Sequence, residues 1–111
     1  MTGVILPTND TTQSPAHPGK PTGLTATASG VTNSIDVAWP DVSAGAASFE
    51  ILRSTDGVTY AWIANNAAAD VTYTNTGLAW ETQYYYKVRA LQSGAYSELS
   101  AADDATTIAE P

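Results

Sequence analysis

The stretch at residues 78–90 constrains the fold of this chain more than any other part of the sequence. After a polar corner, alternate positions become aromatic or aliphatic: Tyr84, Tyr86, Val88 and Ala90. The positions between them are more polar: Tyr85, Lys87 and Arg89. A period of two with one apolar face is typical of a strand that is buried on one side. The stretch therefore predicts a sheet strand that packs on a core.

Tyr84 stands at the start of this strand, directly after the corner. There its ring can enter the core while its hydroxyl bonds to backbone across the corner, an arrangement known from β-sandwiches as the tyrosine corner. In antibody-type domains a cysteine follows two residues later. Here that position is Tyr86, and the chain has no cysteine. The pattern predicts a sandwich that folds without disulfides.

Five segments in order along the chain resemble strands of fibronectin type III domains. They are residues 21–26, 34–39 with Trp39, 49–54, 73–78 and 78–90. The combination of residues 53–57 with residues 84–86 resembles the bacterial and phage branch of that family. The resemblance covers about residues 18–108 and implies an all-β fold, a seven-stranded antiparallel sandwich.

The chain of 111 residues has room for one domain of ordinary size, which we place at residues 21–111. Residues 1–20 are polar and rich in proline, so we expect an extended N-terminal arm. Strands are expected near residues 24–28, 34–39, 49–53, 60–64, 71–74, 82–91 and 101–108. The predicted core consists of Ile35, Val37, Trp39, Ile51, Leu78, Tyr84, Tyr86 and Val88.

Two local features refine the third and fourth strands. Asp56-Gly57 predicts a hairpin turn in which both residues accept a positive φ. The strand near residues 60–64 shows the alternation less clearly, because Tyr60 and Ile63 cannot both point inward without a bulge.

Composition argues against several classes of function. The chain has 11 acidic and four basic residues, a formal charge of −7, which argues against a broad face for nucleic acid or anionic membrane. The only histidine, His17, lies in the arm, where it cannot be held as a catalytic triad requires. Asp103 and Asp104 are adjacent in sequence, and we expect them to be solvated. We therefore predict a protein that is not an enzyme and has no cofactor or metal site.

One candidate binding surface is the outward side of the third, fourth and sixth strands. It would carry Leu52, Trp62, Tyr85, Lys87 and Arg89. Tyrosine, tryptophan and arginine are enriched at interface cores, but the same residues also fit an ordinary sheet surface with a cross-strand ion pair to Glu50. Trp80, in the corner, is expected to cap the bottom of the core, and stacking on a sugar ring is the alternative.

The arm supplies a second candidate, an apolar patch at Val4, Ile5 and Leu6 that could be buried in a partner. Together with the family resemblance, it suggests a phage virion accessory protein. Such a protein would attach to a capsid or tail protein by its arm and display the sandwich on the virion surface. One alternative is a spacer or carbohydrate-associated module of an extracellular bacterial polysaccharide-degrading enzyme. Another is a bacterial surface adhesion module that contacts a glycan.

Overall fold

The computed structural model describes residues 18–41 and 47–111. The apolar patch of the arm at Val4, Ile5 and Leu6 lies outside the described residues. Within these ranges all regular elements are strands: β1 Thr25–Ala28, β2 Ile35–Ala38, β3 Ser48–Ser54, β4 Ala61–Asn66, β5 Thr72–Asn75, β6 Gln83–Gln92, β7 Ala95–Tyr96 and β8 Asp103–Thr106. No helix in the described part of the chain is long and apolar enough to cross a membrane.

The strands form two antiparallel sheets. One contains β1, β2 and β5 in the order β1-β2-β5; the other has the order β4-β3-β6-β7, and β8 also pairs with β6. We refer to the second as the five-stranded sheet. The two sheets enclose a single apolar core. The predicted all-β, antiparallel sandwich is confirmed.

The last strand differs from its predicted form, because it is interrupted. Both β7 and β8 pair with β6, and the residues between them leave the regular ladder. There the backbone N–H groups of Ser97 and Ser100 donate to the carbonyls of Ala90 and Val88, each at 2.8 Å. The two serine hydroxyls accept from the N–H groups of Ala90 and Val88 at 2.8 and 3.0 Å. The serine hydroxyls thus satisfy backbone N–H groups along this edge of β6. In this way β7 and β8 together take the place of one strand.

The core contains every residue that the alternation predicts. Its buried members are Ile35, Val37, Trp39, Ala47, Phe49, Ile51, Leu78, Tyr84, Tyr86, Val88 and Ala90. Trp39 and Phe49 meet edge to face, with ring centroids 5.3 Å apart. Each fully buried large side chain contributes about 1.5–3 kcal/mol to folding, so the alternating strands account for most of the driving force.

The tyrosine corner is also confirmed. The backbone N–H of Ala79 donates to the hydroxyl oxygen of Tyr84 at 3.0 Å. Thr107, just after β8, closes the same corner: its hydroxyl donates to the carbonyl of Ala79 at 2.6 Å and accepts from the N–H of Thr82 at 2.9 Å. The corner is therefore held from two elements, and the chain can turn there although Glu81 adopts a φ of 51°.

A polar group lies between the two sheets beside this corner. We call it the inter-sheet cluster: Arg53, Asn75, Tyr84 and Tyr86. Asn75 Oδ1, on β5, accepts from the Tyr86 hydroxyl at 2.6 Å and from Arg53 Nη1 at 3.1 Å. The Arg53 guanidinium carbon lies 5.2 Å from the centroid of the Tyr84 ring. Burial raises the pKa of the Tyr86 hydroxyl well above its ordinary range, which keeps this buried donor neutral.

The connection from β3 to β4 is a hairpin, but the expected two-residue turn is wrong. Gly57 has a φ of 76°, whereas Asp56 is not among the residues with positive φ. The loop is longer because side chains hold it: the Asp56 carboxylate accepts from the N–H groups of Val58 and Thr59 at 2.8 and 2.9 Å. Ser54 Oγ accepts from the N–H groups of Asp56 and Gly57 at 3.1 and 2.8 Å.

The fourth strand has a bulge, since the pairing of β3 with β4 shifts between Ile51 and Leu52, but Tyr60 does not point inward: its ring lies beside Lys87 on the outward side. This shift lets Ile63 and Ala64 both pack against the core.

Asp103 does not have the solvated position expected of it. It is half-buried, and its carboxylate accepts from the N–H of Ala26 on β1 at 2.8 Å. This bond links the two sheets, because Asp103 belongs to β8 and Ala26 to β1. Asp104 is exposed, as expected, and accepts from the side chain of Gln83 at 2.7 Å.

Candidate functional site

The outward side of the five-stranded sheet gathers most of the predicted surface residues. We call it the outer face and define it by Glu50, Leu52, Tyr60, Trp62, Tyr85, Lys87, Arg89 and Tyr96. Leu52 on β3 pairs with Trp62 on β4 and with Lys87 on β6. These three side chains therefore form a row across three strands, about 10 Å long at the usual strand spacing. Tyr85 and Arg89 lie on either side of Lys87 along β6.

Trp80 is not part of this face. It lies in the corner between β5 and β6, is half-buried, and its carbonyl accepts from the Thr82 hydroxyl at 2.9 Å. It is also absent from the half-buried hydrophobic side chains that pack against the core. Its indole is therefore not the core cap that the sequence suggests.

At one end of the outer face, Arg89, Glu50 and Tyr96 bond to one another. Arg89 Nε and Nη2 both lie 2.8 Å from Glu50 Oε1. The Arg89 guanidinium carbon also lies 3.8 Å from the centroid of the Tyr96 ring, and the Tyr96 hydroxyl donates to Glu50 Oε2 at 3.2 Å. The cross-strand ion pair with Glu50 is thus present, as the ordinary-surface interpretation predicts, and it fixes the guanidinium and the ring together.

Lys87, at the centre of the face, is placed differently. Its ammonium lies 4.7 Å from the centroid of the Tyr60 ring. No carboxylate of the described residues pairs with it, in contrast to Arg89. The pKa of the Tyr60 hydroxyl is raised, first by burial and then by the nearby Tyr85, Asp56 and Asp104, so Tyr60 remains a neutral ring beneath the cation.

The other aromatic rings of the face are also held in place. Trp62 is 57% exposed, and its indole N–H donates to Asn65 Oδ1 at 2.7 Å. The ring of Tyr85 lies against Gly57, where an added Cβ would come within 3.4 Å of it. Because Gly57 also has a positive φ, a side chain there would be strained as well as crowded. The Tyr85 hydroxyl donates to Gln83 Oε1 at 3.1 Å.

Two members of the face, Tyr60 and Tyr96, were not among the predicted site residues. Tyr60 precedes a strand whose register depends on a bulge, so alternation alone does not say which way it points. Tyr96 belongs to a two-residue strand, too short to show a period. The sequence indicates its place on the face only through its position soon after the Ser93-Gly94 turn, opposite the outward side of β6.

The face has no arrangement of groups that suggests chemistry. Within residues 18–41 and 47–111, no three His, Cys, Asp or Glu side chains come together as metal ligands. The acidic groups near the face are bonded to Arg89, to Gln83 or to turn N–H groups. What the face offers is a set of fixed aromatic rings around two cations, which suits binding.

Comparison with known proteins agrees with the fold. No protein-family model and no curated protein matches the chain. Among solved structures, it is similar to a Fn3-like protein from Clostridium thermocellum, with 35% identity, a TM-score of 0.68, and coverage of 82% of this chain and 94% of that one.

Two further structures show the same architecture in other settings. A fibronectin type III domain of human fibronectin type III domain containing protein 3 shares 24% identity, with a TM-score of 0.67 and coverage of 82% of this chain and 86% of that one. A β-1,2-glucanase from Parabacteroides distasonis shares 28% identity over 80% of this chain but only 13% of its own length, with a TM-score of 0.66. This chain is 35% identical to a Fn3-like protein, of which the match covers 94%, and its strand order and tyrosine corner agree with that similarity. It therefore belongs to the fibronectin type III family.

Proposed function

We propose that this chain is a non-catalytic accessory module that serves a larger assembly by binding and display. The observation that supports the proposal best is the outer face, where half-buried rings and cations surround two exposed rings, Trp62 and Tyr96, on the side of a closed sandwich. The carboxylates, by contrast, bond to the scaffold: Asp103 to a backbone N–H of β1, and Asp56 to its own turn. We expect a module of this kind to act by contact rather than by catalysis.

In its finer form, the proposal is an accessory protein of a phage particle, with a capsid or tail protein as partner and the virion surface as location. The resemblance of residues 53–57 and 84–86 to the bacterial and phage branch of the family supports this. The arm would supply the attachment through Val4, Ile5 and Leu6. Burying these three side chains could contribute several kcal/mol, at about 1.5–3 kcal/mol each, less the cost of ordering the arm.

An antibody against the sandwich tests this form of the proposal. In density-gradient fractions of the natural source, the antigen should co-sediment with DNA-filled particles. Recombinant protein should bind particles that lack it, and the triple change of Val4, Ile5 and Leu6 to Ser should abolish that binding without changing the melting temperature. Antigen that never enters the particle fractions would contradict a virion role.

A second setting, a spacer or carbohydrate-associated module of a polysaccharide-degrading enzyme, is favoured by the similarity to part of the β-1,2-glucanase. In this setting the partner is a catalytic domain or a glycan, and the location is extracellular. The same antibody would then detect a larger secreted polypeptide that degrades a polysaccharide. Binding of the isolated module to β-1,2-glucan, measured by calorimetry, separates a glycan-binding role from a spacer.

The non-catalytic part of the proposal has its own test. Purified protein is incubated with panels of polysaccharide, ester and peptide substrates, and we expect no turnover above the buffer blank. Turnover that survives repurification and is lost on one Asp or Glu substitution would overturn it.

A further inference from the structure

The two cations of the outer face differ in one respect that bears on binding. Arg89 is already paired, with two nitrogens 2.8 Å from Glu50 Oε1. Lys87 has only the Tyr60 ring beneath its ammonium, at 4.7 Å from the centroid, and no carboxylate partner among the described residues. An ammonium has three N–H donors. The face therefore holds one satisfied cation and one that can still accept a negatively charged partner.

Apolar groups lie beside this open cation. The row Lys87–Leu52–Trp62 runs across β6, β3 and β4, and Trp62 at its far end is 57% exposed. The backbones of Lys87 and Trp62 are separated by two strand spacings, about 10 Å. That is also the rise of about three residues of an extended chain. A single extended segment can thus reach both ends of the row.

The surroundings of the row are already fixed by bonds within the chain. Trp62 is held by Asn65, and the neighbouring ion pair of Glu50 with Arg89 is complete and backed by Tyr96. A partner that covers the ion pair needs to supply no new charge for it, whereas breaking a buried pair is expensive. Fixed side chains also lose little rotamer freedom on binding.

We propose that the outer face is a docking surface for an extended protein segment, with a carboxylate on Lys87 and an apolar side chain on Trp62. Charge complementarity selects this occupant, and the aromatic rings supply the contact area that interface cores typically use. The docking role rests on the proposed function, since it names the chemistry of the partner that the module binds. The chain's net charge of −7 does not prevent it, because charges beyond about 8 Å are largely screened at physiological ionic strength.

Three pools of short peptides test the docking role against the full chain labelled with ¹⁵N. All pools share Leu-x-x-Z with randomised flanks, and Z is Glu, Gln or Lys. In NMR titrations the Glu pool should shift the amide signals of Leu52, Trp62 and Lys87. It should bind about two- to fivefold more tightly than the Gln pool, the effect of one exposed ion pair, and the Lys pool should bind most weakly.

The Lys87→Glu variant should reverse the order of the Glu and Lys pools. The matched control is Lys20→Glu, which makes the same change in net charge at an exposed lysine outside both sheets and should leave the order unchanged. Trp62→Ala should weaken all three pools about equally, because it removes the apolar contact that they share. Because the indole is exposed, the variant should stay folded, and the retained spread of amide signals verifies this.

Four results would overturn the docking role. The first is the absence of shifts on the outer face with any pool. The second and third are an order of pool affinities that Lys87→Glu does not change, or that Lys20→Glu changes equally. The fourth is a stronger response of the same residues to polygalacturonate, which would make the occupant a carbohydrate. Concentration-dependent shifts of these residues without peptide would assign the face to a second copy of the chain and overturn it also. The proposed function is tested separately, by the fractionation and substrate experiments.

Discussion

The inter-sheet cluster and the outer face both place a cation over a tyrosine ring, yet their surroundings differ. In the cluster, Arg53 lies 5.2 Å from the Tyr84 ring and shares the acceptor Asn75 with the buried hydroxyl of Tyr86. On the outer face, Arg89 lies 3.8 Å from the ring of the exposed Tyr96. The closer contact is thus the more exposed one. Burial, rather than distance, decides how much such a pair contributes to stability.

The largest effect expected from this comparison is in the cluster, at Asn75→Ala. The substitution leaves the Tyr86 hydroxyl buried without its acceptor, and it also removes a partner of Arg53. We expect a loss of about 2–3 kcal/mol in the free energy of unfolding, measured by urea denaturation. The double variant Asn75→Ala/Tyr86→Phe should lose less than the sum of the two single changes, because it removes donor and acceptor together.

Asn65→Ala is the matched control for this prediction. Asn65 is exposed on β4 and bonds only to the exposed indole of Trp62, so the loss should stay within about 0.5 kcal/mol. Equal losses for the two asparagines would show that burial does not separate the cluster from the outer face.

A smaller effect is expected at the tyrosine corner. Tyr84→Phe keeps the ring in the core but removes the acceptor of the Ala79 N–H, and should cost about 1–2 kcal/mol. Tyr85→Phe, one residue further along β6, removes a hydroxyl that bonds only to the exposed Gln83 side chain. Its melting temperature should be nearly that of the wild type. A Tyr84 variant with an unchanged midpoint would mean that the corner bond contributes nothing.

The ion pair of the outer face should matter less still. Glu50→Gln removes the charge opposite Arg89 in a half-buried pair, whose side chains are 33% (Arg89) and 14% (Glu50) exposed, and the loss should be about 1 kcal/mol. Because salt screens the solvent-facing part of the pair, the difference in stability between the wild type and the variant should shrink as sodium chloride is raised to about 1 M. A loss as large as that of Asn75→Ala would erase the contrast between the two regions.

The two regions also differ in how far the sequence predicts them. Alternation identifies the core and the tyrosine corner, since period and burial are properties of a single strand. It places Lys87 and Arg89 outward for the same reason. It does not show that Arg53 bonds to Asn75, because that bond joins two sheets and residues 22 positions apart.

The unpredicted parts of the outer face have a similar origin. Tyr96 meets Arg89 from β7, a two-residue strand in which its register partner on β6 is Leu91. Asp103 was expected to be solvated because sequence shows its neighbour Asp104 but not the N–H of Ala26 that it reaches from β8. Contacts between distant elements are thus what the sequence pattern leaves open here.

The smallest expected effect concerns Asp56, where an exposed group is perturbed by hydrogen bonds rather than by burial. The N–H groups of Thr59 and Val58, followed by the Ser54 hydroxyl, lower the pKa of the Asp56 carboxyl from 3.8 to about 2. A lowered pKa in the folded state means that the stabilisation is complete above the unfolded value, near pH 4. It is lost as the pH falls through about 2. Between these values the folded turn stays ionised while the unfolded chain takes up a proton.

An NMR titration that follows the amide signals of Val58 and Thr59 measures this midpoint directly. We expect it near pH 2 in the wild type, with the turn opening at lower pH while the amides of Tyr86 and Val88 still report an intact core. Asp56→Asn is the matched control, because the amide oxygen can accept the same bonds but cannot titrate; its signals should stay flat over this range. A wild-type midpoint near the ordinary value of 3.8 would show that the turn bonds do not favour the ionised carboxylate. Burial alone would then explain which polar groups of this protein are perturbed, without a separate effect of hydrogen-bonded turns.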